Sequence, residues 1–400
     1  MPRVPAEAWR RNQLVMTAAV FGVYTGFAFV LPFLPLYVRE LGVTDEGDVA
    51  LWAGLLILVA PLLAGLLAPV WGRWADRHGQ KRTALRALGA YVVLLALSAW
   101  VSDVWQLLAL RVGVGLFGGI GPLGLAMATS GAPREHTGRT VGMIQAAQIL
   151  AAAIGPLLGG SLADVIGIRA TFSVAAALCV VPLLFVAAGY HEPRRPAGRE
   201  GGGSLPLFSL LRLPHVAHVL VVLFLVNFVG RSLTPILPLF LARLGVNPSR
   251  LAFSTGLLIS VYSVAAALSA TGLGHLSRHH SPDRLLVFSL LGGAVTVLPM
   301  AHAPSFPTLL LLASLLGLAS GGALTLCYTI GSLLIDAPLR TAAFGFFSSA
   351  ALFGGSVSPL LAGLLVRLDL RGIFYVDAAL FLLLALTLLA GRPLAQSLGQ

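Results

Sequence analysis

The sequence predicts an all-α integral membrane protein with twelve transmembrane helices in two pseudo-symmetric six-helix bundles. Three observations predict it. Of 400 residues, 57% are hydrophobic and only 10% charged, and a soluble chain of this length could not hide so much apolar surface. Apolar runs long enough to cross a bilayer, roughly 20 residues, recur along the whole chain. They are rich in Ala, Leu and Gly and too long for strands, and a helix satisfies its own backbone groups in lipid. Finally, the two halves of the sequence echo each other.

The first run, 13–38, follows Arg10 and Arg11. It exceeds the apolar core of a secretory signal, about 7–15 residues, and reads as an uncleaved first span. The second, 50–72, ends in the charged stretch GRWADRHGQKR (72–82), which leads into the third, 83–101. The fourth, 104–129, encloses Arg111. The fifth, 138–162, contains AAAIGPLLGG, and the sixth is 169–189. Residues 190–215 are then rich in Gly, Pro and Arg, the composition of a flexible linker. Six further runs follow at 216–242, 251–273, 284–301, 306–334, 340–366 and 372–391, with Arg231 in the first of these and Asp377 in the last. The expected domains are therefore 1–189, a cytoplasmic linker at 190–215, and 216–400.

The echo between the halves is specific. LPFLPLYVRELGV (31–43) matches TPILPLFLARLGV (234–246), aligning Pro32 and Pro35 with Pro235 and Pro238, and Gly42 with Gly245. GPLLGG (155–160) matches SPLLAG (358–363) in the same register, and IRATFSVAAAL (168–178) runs parallel to LRGIFYVDAAL (370–380), one residue out of it. Repeated six-helix halves are a mark of secondary transporters, which bind substrate near the bilayer midplane.

The net charge is +11. The cations lie in short loops, so they report topology rather than a nucleic-acid partner. With an even number of spans both ends share one side. That side takes most of the Lys and Arg, leaving Arg39, Arg169, Arg243, Arg250, Arg367 and Arg371 on the other. The bias places both termini of a multi-pass protein in the cytoplasm. Cys179 and Cys327 fall inside apolar runs, and no disulfide is expected.

In the 72–82 stretch, Gly72 and Gly79 would allow a tight turn. Asp76 stands out because anions contribute little to topology. It could accept hydrogen bonds from an opposing helix N-terminus. The plain alternative is a solvated loop. These residues resemble the loop signature of the major facilitator superfamily: Gly72, Ala75, Asp76, Arg77, Gly79, Lys81 and Arg82 fit it, while Trp74 and Gln80 depart. The resemblance implies a loop that braces the halves and helps to gate alternating access. The corresponding GHLSRHHSPDR (274–284) has Arg278 where Asp76 would fall.

AAAIGPLLGG resembles that superfamily's antiporter motif through Gly155, Pro156, Gly159 and Gly160, with Ala151 replacing the first Gly. The plain reading is a small-residue packing face. GFAFVLPFLP (26–35) and RVGVG (111–115) resemble signatures of the drug:proton antiporter-1 subfamily, with Val114 in place of a Gln. What the resemblance implies for Arg111 is a role in proton coupling.

A charge near mid-bilayer costs about 2.5–3.5 kcal/mol on insertion scales and usually faces a cavity. Arg111, Arg231 and Asp377 are therefore candidates for a substrate and coupling cavity. Gln145, Gln148 and Asn227 are candidate polar neighbours, and Tyr24, Tyr262 and Tyr328 candidate walls. Asp377 is the one carboxylate well inside an apolar run, though it could instead sit shallow as a surface group. Two arginines favour anionic or zwitterionic substrates over lipophilic cations.

The chemistry of enzymes finds little foothold. GVGLFG (113–118) matches a dinucleotide pattern but lies in an apolar span with no preceding strand. No Walker A, HExxH or GxSxG motif occurs, and His279 and His280 read as solvated rather than as metal ligands. The expected function is proton-coupled efflux of drugs or small organic compounds by a monomer that needs no cofactor, only the proton gradient. The alternatives are an uptake permease or symporter for a small metabolite, and, from another class, a non-transporting sensor or intramembrane enzyme.

Overall fold

The computed structural model describes residues 6–118, 120–129, 134–192, 214–334 and 337–390, and among these the regular structure is helical. Most of the 190–215 linker lies outside the described residues, as do Arg3, Arg194, Arg195, Arg199, Arg212 and Arg392 of the cytoplasmic cations. The helices of the first half are α1 Ala6–Val30, α2 Leu34–Glu40, α3 Glu46–His78, α4 Gln80–Ser98, α5 Val104–Phe117, α6 Ile120–Thr129, α7 Arg134–Ile166 and α8 Ile168–Gly189. Those of the second half are α9 Pro214–Ser232, α10 Leu237–Arg243, α11 Leu251–Leu276, α12 Pro282–Met300, α13 Phe306–Ser320, α14 Ala323–Leu334, α15 Ala337–Val366 and α16 Gly372–Ala390.

Each apolar run is occupied by a helix or a broken helix. Among the described residues nine helices are long and apolar enough to cross a membrane, or ten if the bent pair 216–243 is one span. The two runs outside that number have physical causes. α4 carries Lys81, Arg82 and Arg86 in its first two turns, and the run 104–129 is divided between the short helices α5 and α6.

The matched prolines act alike in both halves. Proline lacks the N–H that continues a helix. At Pro32 and Pro35 the chain passes through a 3-10 turn, Leu31–Phe33, between α1 and α2. At Pro235 and Pro238 it bends by 41° between α9 and α10. Gly42 and Gly245 then end the two short helices with φ of 96° and 77°, a region that favours glycine. In both, the next residue bonds back five positions, Val43 to Val38 and Val246 to Leu241.

The chain packs as two compact units. The first comprises Met1–Val43, Val59–Gly198 and Asn247–Ser260. In it α1 lies along α7, α8 and α6, and α4 along α8 and α5. Its core includes Met16, Val20, Leu88, Tyr91, Val114, Met127 and Val186. The second comprises Thr44–Leu58, Arg199–Val246 and Val261–Gln400. In it α9 lies along α15 and α14, and α12 along α16 and α13. Each unit therefore takes in one short segment from the other half of the sequence.

Candidate functional site

The 72–82 stretch is mostly helix rather than loop. α3 continues to His78, so Gly72 makes no turn, and Gly79 alone reverses the chain with φ of 100°. The helix holds on at its end because Trp74 and His78, one turn apart, stack at 4.0 Å. Asp76, Arg77 and Arg82 are exposed, and Lys81 is half-buried.

At the N-terminus of α4, Glu192 Oε1 accepts from the Gln80 amide at 2.6 Å. An anion there meets unpaired N–H groups and the positive end of the helix dipole. Glu192→Ala is expected to destabilise the first unit by about 1 kcal/mol, read as a lower thermal midpoint in detergent.

Two aromatic and cationic groups outside the recognised pattern complete this end. Trp71 Nε1 donates to Leu116 O at 2.9 Å and Arg86 Nη2 to Phe117 O at 3.4 Å. The Arg86 guanidinium lies 3.2 Å from the centre of the Trp71 ring. Together they satisfy carbonyls at the end of α5, where the fourth apolar run is broken.

The antiporter-like motif forms a backbone-to-backbone crossing. A Cβ at Gly159 would lie 2.3 Å from Phe29 O, and one at Gly155 would lie 2.4 Å from Ala28 Cβ, so α7 presses on α1. On the next face a Cβ at Gly160 would lie 2.3 Å from Ala252 O, and one at Gly256 would lie 2.1 Å from Pro156 O, so α7 also presses on the start of α11. Small residues permit such approach. The second unit repeats the crossing: a Cβ at Gly363 would lie 2.4 Å from Ala50 O and one at Gly54 would lie 2.3 Å from Pro359 O, so α15 presses on α3.

The ends of these crossings use opposite chemistry. Asp164 accepts from the amides of Ala252 and Phe253 at 3.1 and 2.7 Å, capping α11. Arg367 instead pairs with Asp48 at 2.5 Å, near the start of α3, and Arg243 pairs with Glu46 beside it.

In the first unit Arg111 is 2% exposed. Its Nε, Nη1 and Nη2 have no hydrogen-bond partner among the described residues. Its guanidinium lies 6.0 Å from the Phe172 ring, which packs on Tyr37. Gln145 is exposed, and Gln148 and Tyr24 are half-buried. None of the three is hydrogen-bonded to Arg111.

The second unit draws its candidates closer together. Asp377 is fully buried (0%), because α16 packs along α12 and touches α9. Its side chain is therefore not a surface group, although it stands in the second turn of α16. Its partner is not an arginine: Oδ2 accepts from Ser232 Oγ at 2.5 Å, and Oδ1 has no partner among the described residues. Tyr262 lies near Ser320, Arg231 and Asp377. Arg231 and Asn227, one turn apart on α9, both lie against Gly355 of α15, where a Cβ would be 3.3 Å from Arg231 Cγ and 3.9 Å from Asn227 O. Tyr328 has its ring against Phe347 at 6.4 Å. Ser232 and Glu192 are the site residues that sequence reasoning missed. Among the described residues, no group of three or more His, Cys, Asp or Glu could hold a metal ion.

Comparison with known proteins places these features in context. A family model described as Major Facilitator Superfamily matches residues 16–255 and 251–398. The multidrug resistance protein MdtG of Klebsiella pneumoniae (strain 342) is 33% identical over 395 residues, covering 97% of this chain and 96% of that protein. MdtG of Serratia proteamaculans (strain 568) is 33% identical over 380 residues, covering 94% and 92%. Among solved structures, the nucleoside transporter NupG superposes with a TM-score of 0.77 at 15% identity, covering 95% of this chain and 98% of that one. A D-xylose-proton symporter gives 0.76 at 14% identity, covering 96% and 98%.

Proposed function

The chain belongs to the major facilitator superfamily and is a secondary transporter rather than an enzyme, and from that premise we propose that it exports drugs or other small organic compounds in exchange for protons. The export reading is supported by full-length similarity to proteins named for multidrug resistance. The proton reading is carried by one observation, the Asp377 carboxyl. It is wholly buried in the second unit, has Ser232 as its one hydrogen-bond partner among the described residues, and lies near Arg231 and Tyr262. Ionisable groups at membrane depth mark ion and substrate pathways, and coupling needs a group that can gain and lose a proton.

The residues we propose to meet substrate are Arg111, Tyr24, Gln145 and Gln148 of the first unit, and Arg231, Asn227, Tyr262 and Tyr328 of the second. A buried guanidinium whose donors lack partners among the described residues, as Arg111 does, is costly, and an anionic or zwitterionic solute would supply acceptors. Alternating access presents the site to each membrane face in turn. The chain works as a monomer in a bacterial inner membrane with both termini in the cytoplasm, powered by the proton gradient alone.

The test is flux in liposomes under an imposed pH gradient with a panel of anionic and cationic compounds. Anions or zwitterions are expected to move against the proton flow, and Arg111→Ala to cut that flux by about tenfold or more. Transport of cations alone would refute the substrate assignment. Flux running with the protons would establish the symporter alternative.

A further inference from the structure

The second unit holds a hydrogen bond that a proton carrier alone does not require. Ser232 is the last residue of α9 and is wholly buried. Its Oγ lies 2.9 Å from Val229 O on its own helix and 2.5 Å from Asp377 Oδ2 on α16. A serine hydroxyl has one hydrogen to donate, so these two acceptors compete for it. Val229 belongs to the last turn of α9, where carbonyls lose the regular helical partner, although Arg231 O there accepts from the Thr234 amide at 3.3 Å. Directly beyond lies the 41° bend into α10.

The state of Asp377 decides the competition. An ionised carboxylate only accepts, so Ser232 gives its hydrogen to Oδ2 and leaves Val229 O. A protonated carboxyl has an O–H on Oδ2 that donates to Ser232 Oγ, and the serine hydrogen then turns to Val229 O. One proton enters and no other bond changes. Asp377 Oδ1 has no partner among the described residues and offers no competing route. Of the charged and titratable groups around the site, Arg231 on α9 and Tyr262 on α11 share its electrostatic field. Those on α12 and α15 are Asp283, Arg284 and Arg340, all within first turns.

We infer that Ser232 is a positioning residue that transmits the protonation of Asp377 to the end of α9, capping its last turn in one state and releasing it in the other. This rests on Asp377 as the proton carrier. It extends that reading by naming how a proton reaches a helix that carries Arg231 and Asn227 toward the substrate.

The experiment uses the full chain in lipid nanodiscs and liposomes, with wild type, Asp377→Asn, Ser232→Ala and Ser232→Thr. Infrared difference spectra between high and low pH are expected to show a carboxyl C=O band that vanishes in Asp377→Asn. In Ser232→Ala the band should move to higher frequency, as the hydrogen bond is lost, and gradient-driven flux should fall about tenfold. Ser232→Thr keeps the hydroxyl and should restore both. Amide exchange across 229–236 should differ between the two pH values in wild type and Ser232→Thr, and not in Ser232→Ala. An unmoved band, or a persisting exchange difference, in Ser232→Ala overturns the inference while leaving Asp377 as carrier. A band and coupled flux that survive Asp377→Asn overturn the carrier assignment itself.

Discussion

Asp377→Asn is expected to abolish proton-driven transport, lowering gradient-dependent flux by about a hundredfold, while substrate exchange at equal concentration persists. The change is nearly isosteric. The asparagine carbonyl oxygen can still accept from Ser232, so the contact between α9 and α16 survives. What disappears is the ability to take up and give back a proton. Equilibrium exchange needs no net proton movement and so separates loss of coupling from loss of folding. Full gradient-driven flux by this variant would remove Asp377 from the mechanism.

The second large effect lies at the glycine crossings. In Gly256→Ala the new methyl would sit 2.1 Å from the backbone oxygen of Pro156, and in Gly54→Ala it would sit 2.3 Å from that of Pro359. No flexible side chain can yield, because both obstacles are backbone, so α7 must move off α11, or α15 off α3. Overpacking of this kind costs about 3 kcal/mol or more. Each variant is expected to melt at lower temperature in detergent and to lose most of its transport. Gly142→Ala, where a Cβ meets nothing within 4 Å, should be silent in both measurements. Equal melting of all three would contradict the crossing as a tight backbone contact.

Much of the fold was legible in the sequence because bilayer thickness imposes run length, and because the halves repeat their punctuation. Pro32 and Pro35, aligned in sequence with Pro235 and Pro238, stand at matching helix breaks, and Gly42 and Gly245 at matching helix ends. The turn at 72–82 was misjudged because two glycines looked equivalent, whereas Gly72 lies within a helix that the Trp74–His78 stack helps to extend.

The site was legible only where charge is rare. Arg111 and Asp377 stand out against apolar neighbours, and both are buried. Burial was not legible, since Asp377 lies only about 7 Å along α16 from its first residue and is covered by neighbouring helices. Ser232 gave no signal, because a hydroxyl in an apolar helix ordinarily bonds its own backbone. Glu192 was hidden for another reason: it caps a helix 112 positions away in the chain, a pairing that no local pattern encodes.

The most direct measurement of the central claim is proton movement itself. Purified protein is placed in liposomes with a pH-sensitive dye inside and no imposed gradient, and a transported compound is added outside. Exchange coupling requires that solute entering drive protons out, raising the internal pH in wild type and leaving it unchanged in Asp377→Asn. Solute entry that acidifies the lumen, or that leaves the wild-type signal flat, would contradict proton-coupled export.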